Sequence, residues 1–279
     1  MRGTTGSNGE QGHGMARAAV ALAILLCAGL AACAATPHAP AKPDAPPPDA
    51  GAPPEQADDC GELGMELAEV QREILCILLH RAGVPPTFTV RSAYWPWRKD
   101  TLLAVVEGGE VPERSGLGSK RFRVFAFDLS GEQPRLLAAS DPQGIELAKD
   151  DVAGFGDLEK YRLDQTEHAV AVTAVRARRY TGGDARLERL FVFRFRAKSL
   201  EPVLQTVLGY SVDIAGGGVR ETLEASATIE IGDAMTGGHF DWLKRTTDAS
   251  VRLVWRGLRY EMDGEDPLSE ERDAEIFRP

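Results

Sequence analysis

Across residues 87–262 the apolar positions alternate with polar ones at a period of two. Thr101–Val106, Arg121–Leu129, Leu136–Ser140, Ala169–Tyr180, Leu187–Ala197, Pro202–Leu208, Thr222–Ile231, Phe240–Thr246 and Val251–Met262 are rich in Val, Phe, Leu and Thr. Glycine-bearing turn signals separate them at Gly108-Gly109, Ser130-Gly131, Gly182-Gly183-Asp184, Gly216-Gly217-Gly218 and Gly237-Gly238. No long helical period intervenes, so the pattern predicts a mainly β body of antiparallel meander sheets, either a sandwich or a partial, propeller-like arrangement. One helix is predicted ahead of it. Leu63, Leu67, Val70, Ile74 and Leu78 recur at helical spacing, with Leu75 and Ile77 widening the stripe. This reading runs from about 62 to 81, within a segment 59–86 that packs on the sheet and ends before Gly83 and Pro85-Pro86.

A weak internal repeat lies within the β region. Val124, Phe125, Phe127, Pro134 and Leu136 align with Val192, Phe193, Phe195, Pro202 and Leu204 at an offset of 68. Upstream, Leu102 and Ala104 fall on Val170 and Val172. Two copies are too few to close a propeller, which favours a sandwich or a strongly curved sheet.

The beginning of the chain follows another pattern. Residues 18–32 form an uncharged apolar run of fifteen residues behind Arg17. As a helix it would span about 22 Å, short of the ~30 Å hydrocarbon core. It therefore reads as an export leader, with Met1 or Met15 as its start. The run ends in Leu30-Ala31-Ala32-Cys33, which resembles the lipobox of bacterial lipoproteins. That resemblance implies cleavage before Cys33, a diacylglycerol on its thiol and an acylated amine. With Ala34 rather than Asp after the cysteine, it also implies sorting to the outer membrane, facing the periplasm, with surface exposure left open.

Composition adds a spacer. Eight of the twenty-five residues in 34–58 are proline and none exceeds Ala or Pro in apolar bulk, so a semi-stiff polyproline-type tether is expected. The tail, 263–279, is acidic, with a short helix from Leu268 to Phe277 and a solvated tail both open. Net charge is −10. Loss of residues 1–32, which hold Arg2, Arg17 and Glu10, makes it one unit more negative. That balance argues against nucleic acid as a partner.

Cys60 and Cys76 are the remaining cysteines of the cleaved chain. An oxidising compartment favours joining them. On one unbroken helix they would stand about 24 Å apart, too far for a disulfide. Either the helix begins near Met65, with Gly61 and Gly64 turning the chain back, or Asp59 and Glu62 form a capping box and the thiols stay free.

Signatures of chemistry are sparse. Gly209-Tyr210-Ser211-Val212-Asp213 lacks the second glycine of a hydrolase elbow, and Gly116-Leu117-Gly118-Ser119-Lys120 lacks phosphate-loop spacing. His38, His80, His168 and His239 show no metal-ligand spacing, and the acidic run 150–159 lacks the alternation of a calcium loop, so neither metal nor cofactor is expected. His239 and Asp241 share a strand face and mark the place for a rival reading, an envelope hydrolase. Tyr94, Trp95 and Trp97 are expected to plug one end of the core. The hairpin 175–198 concentrates arginine, with Arg176 and Arg178 on one strand and Arg194 and Arg196 on the next opposite the Phe191, Phe193, Phe195 face. Such a face suits an anionic envelope component or an acidic protein partner, unless neighbouring carboxylates cover it. The expectation is a non-catalytic binding or scaffolding module, held at the membrane by its lipid.

Overall fold

The computed structural model describes residues 69–84, 88–111, 118–180, 183–216 and 219–268. The leader, the lipobox with Cys33, the proline-rich spacer, Cys60 and the tail beyond Leu268 lie outside the described residues. No helix among the described residues is long and apolar enough to cross a membrane.

Helix α1 (Glu69–Arg81) buries Leu75, Leu78 and Leu79, while Ile77 faces out at 40% exposure. The apolar stripe is therefore narrower than its sequence suggests. Gly83 (φ +74°) stops the helix: its N–H donates to the His80 carbonyl at 3.0 Å and that of Val84 to Leu79 at 2.9 Å. Cys76 is buried on this helix and disulfide-bonded.

Ten strands form one nearly closed, mixed sheet. In chain order they are β1 (Thr89–Tyr94), β2 (Thr101–Val111), β3 (Ser119–Asp128), β4 (Arg135–Ala139), β5 (Ile145–Ala148), β6 (Asp151–Phe155), β7 (Ala169–Tyr180), β8 (Gly183–Arg196), β9 (Ser199–Gly216) and β10 (Val219–Ser226). Around the sheet the order is β1-β2-β3-β4-β9-β8-β7-β6, with β5 on β3 and β10 on β9. Neighbours pair antiparallel except at one junction, where Ala139 of β4 and Ser199 of β9 pair in parallel. Four more strands, β11 (Thr228–Thr236), β12 (His239–Arg245), β13 (Ser250–Arg256) and β14 (Arg259–Asp263), form a second antiparallel sheet. The fold is mainly β with one described helix, as the periodicity predicts.

The interior of the large sheet holds Leu103, Val105, Phe122, Val124, Val172, Phe191 and Phe193. Its outer surface is covered twice. Helix α1 packs over Leu102, Ala104, Phe125 and Phe127. The second sheet, through Trp242, Leu253, Trp255 and Tyr260, packs over Ala169, Ala171, Leu190 and Val192. Positions aligned at the 68-residue offset accordingly sit in different cores: Val124 faces the interior and Val192 the second sheet, whereas Phe125 lies under the helix and Phe193 in the interior.

The open seam between β1 and β6 is closed by side chains. Glu107, 5% exposed, accepts from the Ala153 N–H at 2.5 Å, from Arg91 at 2.8 Å and from Lys120 at 2.5 Å. Arg91 donates in turn to the Ala153 carbonyl at 2.8 Å. Unpaired strand-edge groups of β6 thus find charged partners across the gap. Beside them Asp151, 1% exposed, takes Arg176 at 2.7 Å, Arg189, and the Ala148 N–H at 2.9 Å.

One turn reading and two strand readings need correction. Gly108 lies inside β2, where the register shifts; a Cβ there would stand 1.7 Å from the Phe88 ring. The run Thr222–Ile231 breaks at Ala227, whose N–H donates to Leu208, so β10 joins the large sheet and β11 the second. Val251–Met262 is a hairpin turned at Gly257 (φ +74°). The acidic run 150–159 supplies β6, and β1 and β5 carried no recognised signal. Of the aromatic group, Trp95 is buried against Phe195, whereas Tyr94 and Trp97 are about half exposed, at 49% and 47%. Trp97 instead stacks on His168 at 3.8 Å and donates to Leu158.

Candidate functional site

Strand alternation sorts the arginines first. Arg176 pairs with Leu187 and Arg178 with Ala185, so these two share the side that continues into the sheet interior. Arg194 pairs with Ala169, whose side faces the second sheet, and Arg196 follows it. The four do not make one face. Arg176 is held by buried Asp151, Arg178 by Asp150 at 2.9 Å, Arg194 by Glu167, and Arg196 lies 3.9 Å from Glu201. More accessible are Arg179 and Arg186, which share the outer side, 93% and 60% exposed and 3.7 Å from Asp184 and Glu188. Loose, solvated pairs of this kind bind weakly and are easily exchanged. These residues sit where β7–β10 run past Arg176, the last β7 residue paired with β6. A shallow groove there includes Arg178, Arg186, Asp213 and Glu224.

The second concentration of polar groups lies where the loop before β7 meets β12. Residues 161–169 form a tight return: Ala169 donates to Tyr161 and Leu163 to Glu167, both at 2.9 Å. Asp164 Oδ1 organises the tip by accepting from the N–H groups of Thr166 (2.7 Å) and Glu167 (2.8 Å) and from the Thr166 hydroxyl (3.0 Å). Partial burial pushes this carboxyl up, but the two N–H groups and the hydroxyl outweigh it and hold the pKa below the usual range. The loop is fastened to the second sheet by Phe240 N–H to Leu163 O (2.7 Å) and Trp242 Nε1 to Arg162 O (3.0 Å).

That docking brings His239 beside the loop. One ligand atom each of Asp164, Glu167 and His239 all lie within 4.8 Å of one another. Glu167 is oriented by Arg194, which donates to both carboxylate oxygens at 2.7 Å. The bond in turn raises the Arg194 pKa. His239 is 9% exposed and stacks on Trp255 at 3.9 Å. Its Nδ1 lies 3.1 Å from the Gly237 carbonyl, which can only accept, so Nδ1 carries a proton. Nε2 is buried and has no hydrogen-bond partner. Asp241, 4% exposed, also leaves Oδ1 unpartnered, with Oδ2 3.6 Å from Arg252. Tyr260 donates to the Phe240 carbonyl at 2.9 Å; burial, then Asp241, Asp164 and Glu167, push its pKa well up.

His239 and Asp241 were therefore legible as a pair on one strand, whereas Asp164 and Glu167 were not. Their contribution depends on a loop about seventy residues upstream folding onto β12, for which one sequence carries no signal. A scan against protein-family models, a search of curated proteins and a search of solved structures each found no match.

Proposed function

We propose that this chain is a lipid-anchored, periplasm-facing β domain of the outer membrane that binds or scaffolds an envelope partner without catalysing a reaction. The observation that carries the reading is the order of segments. An apolar leader ends in Leu30-Ala31-Ala32-Cys33, a proline-rich spacer follows, and then comes a β body whose buried Glu107 and Asp151 are committed to holding its own sheet together. Two or three acyl chains on Cys33 would hold such a body at the bilayer, and a spacer of this length lets it reach away from the lipid. The contact surface of this proposal is the outer side of the β7–β8 tip, with Arg179 and Arg186 meeting an anionic envelope component or an acidic protein. Within the same proposal Cys60 is the partner of Cys76.

The test is in-cell cross-linking of the full chain during palmitate labelling. The wild type is expected to take up palmitate at Cys33 and to capture an envelope partner; the Arg179→Glu/Arg186→Glu variant is expected to keep the label and lose most of the capture. A chain without label, or capture indifferent to charge reversal, overturns it. The second reading, an envelope hydrolase, is favoured by one observation: the unpartnered, buried His239 Nε2 and Asp241 Oδ1.

A further inference from the structure

We infer that Asp164, Glu167 and His239 form a binding site for one divalent transition-metal cation, of which Zn²⁺ is the working probe. The geometry has three parts. First, the three donors converge to within 4.8 Å from two separate pieces of chain, the loop before β7 and the start of β12. Ligands on one zinc stand roughly 3–4 Å apart, given metal–ligand lengths of about 2 Å, so a rotation of the two carboxylates closes the set. Second, His239 has a free electron pair to offer. Nδ1–H of His239 is spent on the Gly237 carbonyl, which fixes the tautomer and leaves the Nε2 lone pair bare in a buried position. A backbone carbonyl orienting the far nitrogen is how metal-bound imidazoles are commonly set. Third, the carboxylates are preorganised. Asp164 uses Oδ1 for the loop and leaves Oδ2 without a hydrogen bond. Arg194 orients Glu167, whose oxygens each retain a lone pair.

A plain ion pair accounts less well for this arrangement. No carboxylate oxygen lies within hydrogen-bond distance of the buried Nε2. Burying a ring nitrogen without a partner is costly unless something else occupies its lone pair. The donor set also chooses among cations. One imidazole and two carboxylates suit zinc and its first-row neighbours, whereas calcium wants six to eight oxygens. Three protein ligands leave a coordination position for water. The cation would join the loop to the second sheet at the point where Leu163 and Phe240 already meet.

The inference is independent of the envelope proposal: a mislocalised chain would still bind zinc, and a zinc-free chain would still be anchored. The full chain, purified in detergent and stripped with chelator, is dialysed against Zn²⁺ and assayed for bound metal, with thermal unfolding in parallel. One equivalent per chain is expected, with Tm raised by about 5–10 °C at a hundredfold excess over Kd. Asp164→Asn and His239→Gln are each expected to weaken binding at least about tenfold, and His168→Gln to leave it unchanged. Metal-free unfolding of each variant separates lost affinity from lost fold. If His239→Gln does not fold, Asp164→Asn decides alone. Absence of a saturable equivalent, wild-type affinity in both ligand variants, or Ca²⁺ binding that matches Zn²⁺ and ignores His239→Gln each overturns the site.

Discussion

Two regions of this molecule bury carboxylates, and they treat them in opposite ways. At the β1–β6 seam Glu107 and Asp151 each accept from two cationic side chains and a backbone N–H. At the junction of the 161–169 loop with β12, His239 Nε2 and Asp241 Oδ1 have no partner. The first region closes a gap in the sheet. An edge strand needs its ladder groups matched, and salt-bridged side chains supply what a missing strand pairing does not. The second has polar atoms to spare, although docking there is already achieved by backbone and indole hydrogen bonds. Full satisfaction marks a structural role; spare electron pairs in a buried place mark a capacity to hold something.

The largest effect should come from breaking the seam. Glu107→Ala strips two cations and the Ala153 N–H of their acceptor, and is expected to cost about 3–5 kcal/mol in urea unfolding. A loss below about 1 kcal/mol would mean that the seam does not depend on this carboxylate. Asp241→Asn should do the reverse. It removes a buried charge with an unpartnered oxygen, with only Arg252 beyond normal bonding distance, and is expected to be neutral or to stabilise by up to about 1–2 kcal/mol. Destabilisation of similar size would place Asp241 with the satisfied group and dissolve the contrast. The smallest effect concerns Asp164. Its folded pKa lies below the unfolded value of about 3.9. The carboxylate therefore contributes stability above that pH, and the contribution disappears as pH falls through the folded value. A carboxyl-carbon NMR titration should show a midpoint under about 3.9 that rises in Thr166→Ala; a midpoint at or above it refutes the organised loop tip.

Legibility in the sequence followed how local each cause was. The runs that became β3, β7, β8 and β12 were readable because their buried stretches are crowded with Val, Phe, Leu and Ala, on both faces of β3, β7 and β8, where the sheet is covered from inside and from outside. The strand β6 was masked by Asp150, Asp151 and Gly154, residues that argue for a loop when their partners are unseen. Arg176 and Asp151 show why: each alone disfavours burial, and only the pair across β6 and β7 makes the position acceptable. Gly108 misled in the same way, since its missing side chain serves Phe88 rather than a turn.

What the residue order determined by itself was a mainly β class with one amphipathic helix stripe, and strands rich in Val, Phe, Leu and Thr with glycine at many of their ends. Those traits follow from interactions within a few residues. The tertiary structure alone decided which strands became neighbours, that Arg176 and Arg178 would lie on one side of the sheet and Arg194 on the other, and that Asp164 and Glu167 would meet His239. Each of those outcomes joins positions far apart in the chain, and the free energy that selects among such pairings is spread over the whole core rather than written at either end of the contact.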